Sequence, residues 1–100
     1  MGSRIQTEIE RMESRTYIIG REGHIYINDP AVSKQHAEIQ IINGEIFLRD
    51  LNSTNGTFLV KNQRLVPIKE GYVQINQLIV LGNKQYTIRS LLEIAGAFAA

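Results

Sequence analysis

Three short stretches of this sequence concentrate side chains that bind anions. Gly20-Arg21 follows a β-branched and aromatic run. Ser33-Lys34-Gln35-His36 stands immediately before Ala37, and Asn52-Ser53-Thr54-Asn55-Gly56-Thr57 lies between Leu51 and Phe58. Arg21 is a permanent cation whose planar fork donates two parallel hydrogen bonds to a phosphate. Ser33 and Thr54 supply short hydroxyl donors, and Lys34 adds a second positive charge. Asn55 carries amide donors and a carbonyl acceptor, so it can pair with a peptide main chain as another strand would. A phosphorylated side chain brings about −1.5 to −2 charges and three acceptor oxygens, which this set could saturate. Hydrogen bonds to charged groups contribute roughly 1.5–3 kcal/mol each, so three or four make a micromolar site once binding costs are subtracted.

Each stretch also has a plainer explanation. Glycine-arginine after a strand is an ordinary turn with a solvated cation, and asparagine, serine and glycine favour turns for local reasons. A histidine that starts an apolar strand, as His36 does, is ordinarily a satisfied, partly buried group, and His24 reads as an exposed loop or strand-start residue. Only the combination points to an anion. Ser33 and His36 invite comparison with a catalytic dyad, but nucleophilic catalysis needs an orienting third group and an oxyanion hole, and the sequence suggests neither. Neither Gly-x-Ser-x-Gly nor Gly-x-x-x-x-Gly-Lys occurs. Two histidines, no cysteine and no carboxylate at ligand spacing argue against a metal site. No cofactor is implied.

The elements that must hold these stretches are short strands. Tyr17-Ile18-Ile19 is stopped by Gly20, and Ala37 to Ile41 alternates apolar and polar with period two. Asn43-Gly44 then separates that run from Ile46-Phe47-Leu48, the strongest short hairpin signal. Gly82-Asn83 predicts a second hairpin between Leu78–Leu81 and Gln85–Ile88. Thr57–Val60 and Arg64–Val66, joined through Lys61-Asn62-Gln63, and Tyr72–Ile75 after Glu70-Gly71 complete the series. Strands recurring every 8–12 residues or so with turns between them predict an all-β sandwich or barrel. Ile5, Thr7 and Ile9 alternate as a strand would, although Ile5, Ile9 and Met12 also have helical spacing.

The bulk numbers fit this picture. The chain has 100 residues, one domain's worth, with 43% hydrophobic and 21% charged residues as in a soluble globular protein. Its net charge of +1, with acids and bases alternating, gives no broad basic field for nucleic acid. The aromatic residues fall within strand-like runs and form no stacking platform among basic residues. No apolar run approaches the ~20 residues needed to span a bilayer, so no membrane association is expected. Charged residues from Arg4 to Glu13 leave no signal-peptide core, and the absence of cysteine suits the cytoplasm.

Gly20-Arg21, Ser33-x-x-His36-Ala37 and Asp50-Leu51-Asn52-Ser53-Thr54-Asn55-Gly56-Thr57, in that order between strands, closely resemble the signature of the forkhead-associated (FHA) domain. The resemblance runs from about Tyr17 to Ile88, including the trailing Gly82-Asn83 hairpin. It implies a β-sandwich of two twisted antiparallel sheets with binding loops at one end. It also implies a phosphopeptide-binding module, not an enzyme, that recognises phosphothreonine on a partner such as a kinase substrate or an autophosphorylated kinase. By the same resemblance Arg21, Ser33 and Thr54 would contact the phosphate, Lys34 would assist, and Asn55 would grip the peptide main chain. Gly20 would permit the turn, His36 would brace the loops from beneath, and Asn52, Gly56 and Thr57 would shape the third loop. Lys34 stands where the family most often has arginine, which turns a bidentate contact into a point charge. The stretch from Arg21 to Ser33 is also shorter than is common. A phosphate-independent scaffolding domain on the same fold, using a face around Leu65, Val66 and Ile68, is the alternative. The expected organisation is an N-terminal segment over 1–14 (a first strand or a tag-derived lead-in), a core over 15–90, and an apolar tail or linker over 91–100. Other domains of a longer parent chain are compatible with it.

Overall fold

Asn43 and Gly44 both adopt left-handed backbone, with φ of 50° and 78°, and fold the chain back on itself. The computed structural model in which this turn is seen describes residues 14–98, so the strand expected around Ile5 to Ile9 lies outside the described residues. The turn joins β3 (Ala37–Ile42) to β4 (Glu45–Asp50). In their ladder Ile39 faces Leu48 and Ile41 faces Ile46, all directed into the core. The opposite face carries Glu38 beside Arg49, an ion pair of 2.6 Å, and Gln40 beside Phe47. Period-two patterning thus sorts the two faces, as a half-buried strand requires.

Antiparallel β1 (Arg15–Gly20) lies on the other side of β3, and the two-residue β2 (Ile25–Tyr26) pairs parallel with β1. With β7 (Glu70–Val73) beside β4, the first sheet has the order β2-β1-β3-β4-β7. On its outer surface Tyr72 meets Phe47 edge-on, with ring centroids 5.2 Å apart. The second sheet, of order β6-β5-β8-β9, contains β5 (Thr57–Lys61), β6 (Arg64–Pro67), β8 (Leu78–Leu81) and β9 (Lys84–Thr87). Asn62 and Gln63 make the β5–β6 turn, both left-handed.

The sheets enclose one core, in which Ile19, Ile39, Ile41 and Leu48 of the first meet Leu59, Ile79 and Leu81 of the second. The structure is the expected two-sheet sandwich, with one addition. The strand predicted to reach Ile88 stops at Thr87, and Ile88–Ile94 form a helix, α1. Thr87 Oγ1 accepts from the Ser90 amide while Ser90 Oγ accepts from the Thr87 amide, a reciprocal cap that starts the helix. Ile88, Leu91 and Leu92, at i, i+3 and i+4, are all fully buried. The segment read as an apolar tail from residue 91 therefore begins with two core residues. Among the described residues, no helix is long and apolar enough to cross a membrane.

Register also decides where the loops emerge. Ala37 opens β3 with Ile19 of β1 on one side and Asp50 of β4 on the other, while Thr57 opens β5 opposite Leu81. The loops after β1, before β3 and after β4 leave the same end of the sandwich, and the β8–β9 turn joins them there.

Candidate functional site

Gly20 is where two loops touch. A Cβ on it would lie 2.1 Å from the Lys34 carbonyl oxygen, so only glycine admits the approach. The contact lets the Arg21 amide donate to Ser33 O at 3.2 Å and the Glu22 amide to Lys34 O at 3.0 Å. Arg21 Nε donates to Val32 O at 2.7 Å, which fixes the plane of the guanidinium while its terminal nitrogens remain available to a ligand. Lys34 Nζ is 3.8 Å from Glu22 Oε2, with both side chains well exposed.

The third loop is fastened to the second from the other side. The Thr54 amide donates to Ser33 Oγ at 3.1 Å, and Asn55 Nδ2 donates to Ala31 O at 2.8 Å. Ser33 Oγ, already accepting, keeps its own O–H to donate. His36 lies beneath, fully buried. Its Nδ1 accepts from the Ser33 amide at 3.0 Å, and its Nε2 lies 2.8 Å from Gly56 O. Because Nδ1 accepts, the proton sits on Nε2 and is donated to that carbonyl. One ring thus joins the second and third loops, with neither nitrogen left to act as a base.

Asn52 is left-handed at φ 52°, and Gly56 at φ 85°. Thr57 is buried, and its Oγ1 donates to Asp50 Oδ1 at 2.7 Å. All ten sequence-predicted residues therefore lie on or directly behind three adjoining loops. Arg21, Lys34, Thr54 and Asn55 are exposed and Ser33 is half-buried, whereas His36 and Thr57 are buried behind them; Asn52 is exposed.

Two carboxylates that tie these loops were missed. Asp50 accepts from Ser53 Oγ at 2.6 Å and the Ser53 amide at 3.1 Å as well as from Thr57. Burial pushes its carboxyl up, but the bonds from Ser53 and Thr57 outweigh that and hold it below the ordinary aspartate value. Asp29 accepts from the Asn83 amide at 2.9 Å, from Asn83 Nδ2 at 3.2 Å and from the Ala31 amide at 2.9 Å. The Asn83 amide bond is the main reason its carboxyl too is lowered. Asp29 thereby ties the second loop to the β8–β9 turn. The Asp50-x-x-Ser53 and Asp29-x-Ala31 spacings, where an aspartate side chain reaches a backbone amide two or three residues on, were the available signals.

The family model described as the FHA domain matches residues 17–82, which contain all ten predicted residues and both aspartates. The chain belongs to the FHA domain family. This FHA domain is 32% identical over 97 residues to the FHA domain-containing protein FhaA of Mycobacterium tuberculosis (strain ATCC 25618 / H37Rv), a match covering 88% of the chain and 18% of FhaA. The chain thus spans about a fifth of that curated relative. Among solved structures, it is similar to a domain studied for phosphothreonine-dependent FHA domain interactions, at 33% identity and TM-score 0.64, covering 77% of this chain and 76% of that one. The FhaA FHA domain complexed with the intracellular domain of Rv3910 matches at 32% identity and TM-score 0.64, covering 75% and 80%. The FHA domain of the CT664 protein from Chlamydia trachomatis matches at 28% identity and TM-score 0.64, covering 76% of each chain.

Proposed function

We propose that this FHA domain is a phosphopeptide-binding module that recognises phosphothreonine on a partner protein in Ser/Thr-kinase signalling. The observation that carries the reading is the cross-tied front of the three loops. On this reading the Arg21 terminal nitrogens, the Ser33 hydroxyl, the Lys34 ammonium and the Thr54 hydroxyl would take the phosphate, and Asn55 Oδ1 would take a peptide amide, since the ties between loops use other atoms of Arg21 and Asn55. FHA domains are binding modules, and the internal bonding supports that role over catalysis. Ser33 and His36 face each other through the Ser33 amide, not its hydroxyl, and the imidazole has no free nitrogen. The partner is a phosphothreonine-bearing protein, a kinase substrate or an autophosphorylated kinase, met in the cytoplasm.

The test is binding to a degenerate phosphothreonine library beside phosphoserine and unphosphorylated versions. Phosphothreonine should be retained selectively, and Arg21→Ala should weaken it by about 2–5 kcal/mol, because part of the phosphate charge is left unpaired. Undiminished binding by that variant would overturn the site assignment. The scaffolding alternative draws on β6, where Leu65 and Val66 are exposed. Binding there would be indifferent to phosphate and to salt, whereas an exposed phosphate site weakens as ionic strength rises.

A further inference from the structure

The third loop has a second face. There a groove with about 640 Å³ of open volume runs between that loop and the Pro67–Lys69 segment that joins β6 to β7. Thr54 and Asn55 line both this groove and the proposed phosphate site, whereas no residue of the first or second loop lines it. Its volume is that of a small-ligand pocket, enough to seat side chains of a bound segment.

Both walls are fixed in place. The Ile68 amide donates to Thr57 O at 3.0 Å, and the Asp50 amide donates to Lys69 O at 2.8 Å, so the 67–69 segment is held to the base of the third loop by main-chain bonds. Pro67 and Ile68 supply apolar surface, while Asn52, Thr54 and Lys69 supply donors. The acceptors of Asp50 are already taken by Ser53 and Thr57. Lys69 is exposed and has no carboxylate within ion-pair distance among the described residues, unlike Lys34, Arg49 and Arg89.

We infer that this groove reads the partner segment beyond its phosphothreonine, and that Lys69 selects an acidic side chain there. The inference rests on the phosphothreonine reading and deepens it. Thr54 and Asn55 border both the groove and the proposed phosphate site, so a chain leaving that site past Asn55 runs alongside the groove. Its unpaired ammonium favours a carboxylate over a neutral or basic neighbour, and the Pro67–Ile68 surface accommodates the aliphatic stem of a glutamate.

The experiment measures affinity by calorimetry for phosphothreonine peptides in an otherwise neutral background, with a glutamate placed at each flanking position in turn. At one or more positions the acid should strengthen binding. Lys69→Glu should then weaken that peptide about three- to tenfold while changing the neutral-flanked peptide by less than about twofold, as expected for reversal of an exposed pair. Arg64→Glu, an equal charge change at the far end of β6, should alter neither preference. Lys69→Glu keeps the main-chain bond to Asp50, and a thermal melt verifies that it folds. Equal loss for acidic and neutral peptides, or no acid preference in the parent, would overturn the role of Lys69 and leave the phosphothreonine reading standing. If no phosphothreonine peptide binds the parent domain, that reading falls and the groove assignment with it.

Discussion

Replacing His36 tests the framework beneath the site more directly than any exposed residue does. The imidazole is fully buried, accepts the Ser33 amide and donates to the Gly56 carbonyl. His36→Ala leaves the strand's own bonds intact, since the His36 amide still reaches Ile19 O and the Leu51 amide still reaches His36 O. What it removes is the imidazole partner of two part-buried backbone groups, the Ser33 amide and the Gly56 carbonyl, at about 1–3 kcal/mol each, with a cavity besides. The expected loss is about 3–5 kcal/mol, a large part of the roughly 5–15 kcal/mol available to a domain. For a chain of this length that lowers the melting temperature by about 15–30 °C. His36→Leu restores most of the volume and neither hydrogen bond, so it should recover only the cavity part and remain about 2–4 kcal/mol below the parent. Urea unfolding followed by circular dichroism measures all three proteins. A leucine variant as stable as the parent would refute the reasoning, because packing alone would then account for His36.

Other expectations follow from the same geometry. Asp50 and Asp29 are both held below the ordinary aspartate value, so each contributes stability that is present above that value and lost as pH falls through it towards the lower folded value. Urea midpoints from about pH 5 downward should therefore fall less steeply in Asp50→Asn than in the parent; parallel curves would remove Asp50 from the account. Gly20→Ala forces a Cβ into the Lys34 carbonyl and should cost roughly 2–4 kcal/mol in thermal stability, while also weakening phosphopeptide binding by displacing Arg21. Leu91→Ala should cost about 2–5 kcal/mol in urea, the signature of a core position rather than of a tail; a loss under about 0.5 kcal/mol would mean that α1 is dispensable.

The strands were legible wherever period-two alternation met a turn that only a few residues can make. Asn43-Gly44 shows this best, because left-handed backbone at both positions leaves little choice of sequence. β2 escaped notice because two residues are too few to show any period. α1 escaped because Ile88 and Tyr86 continue the strand-like run, and the Thr87–Ser90 cap that ends it is visible only to a reader looking for a helix start. Of the site, the front was legible because its residue types are those that phosphate chemistry demands. Asp29 and Asp50 were not: the donors to Asp50 are close in sequence but look like ordinary turn residues, whereas Asn83 lies 54 residues from Asp29 and only folding brings it near. The groove beside Lys69 combines two loops that no sequence window contains.

The mutual fastening of the three loops also bears on how such a domain can be controlled. Arg21 Nε, Ser33 Oγ and Asn55 Nδ2 already serve as ties between loops, so the receptor needs no rearrangement to become competent. Ties of this kind preorganise a binding site, so little ordering is left for the ligand to impose. Timing then belongs to whatever adds and removes the partner's phosphate and to how long each complex lasts, and the domain responds as fast as its last ligand departs.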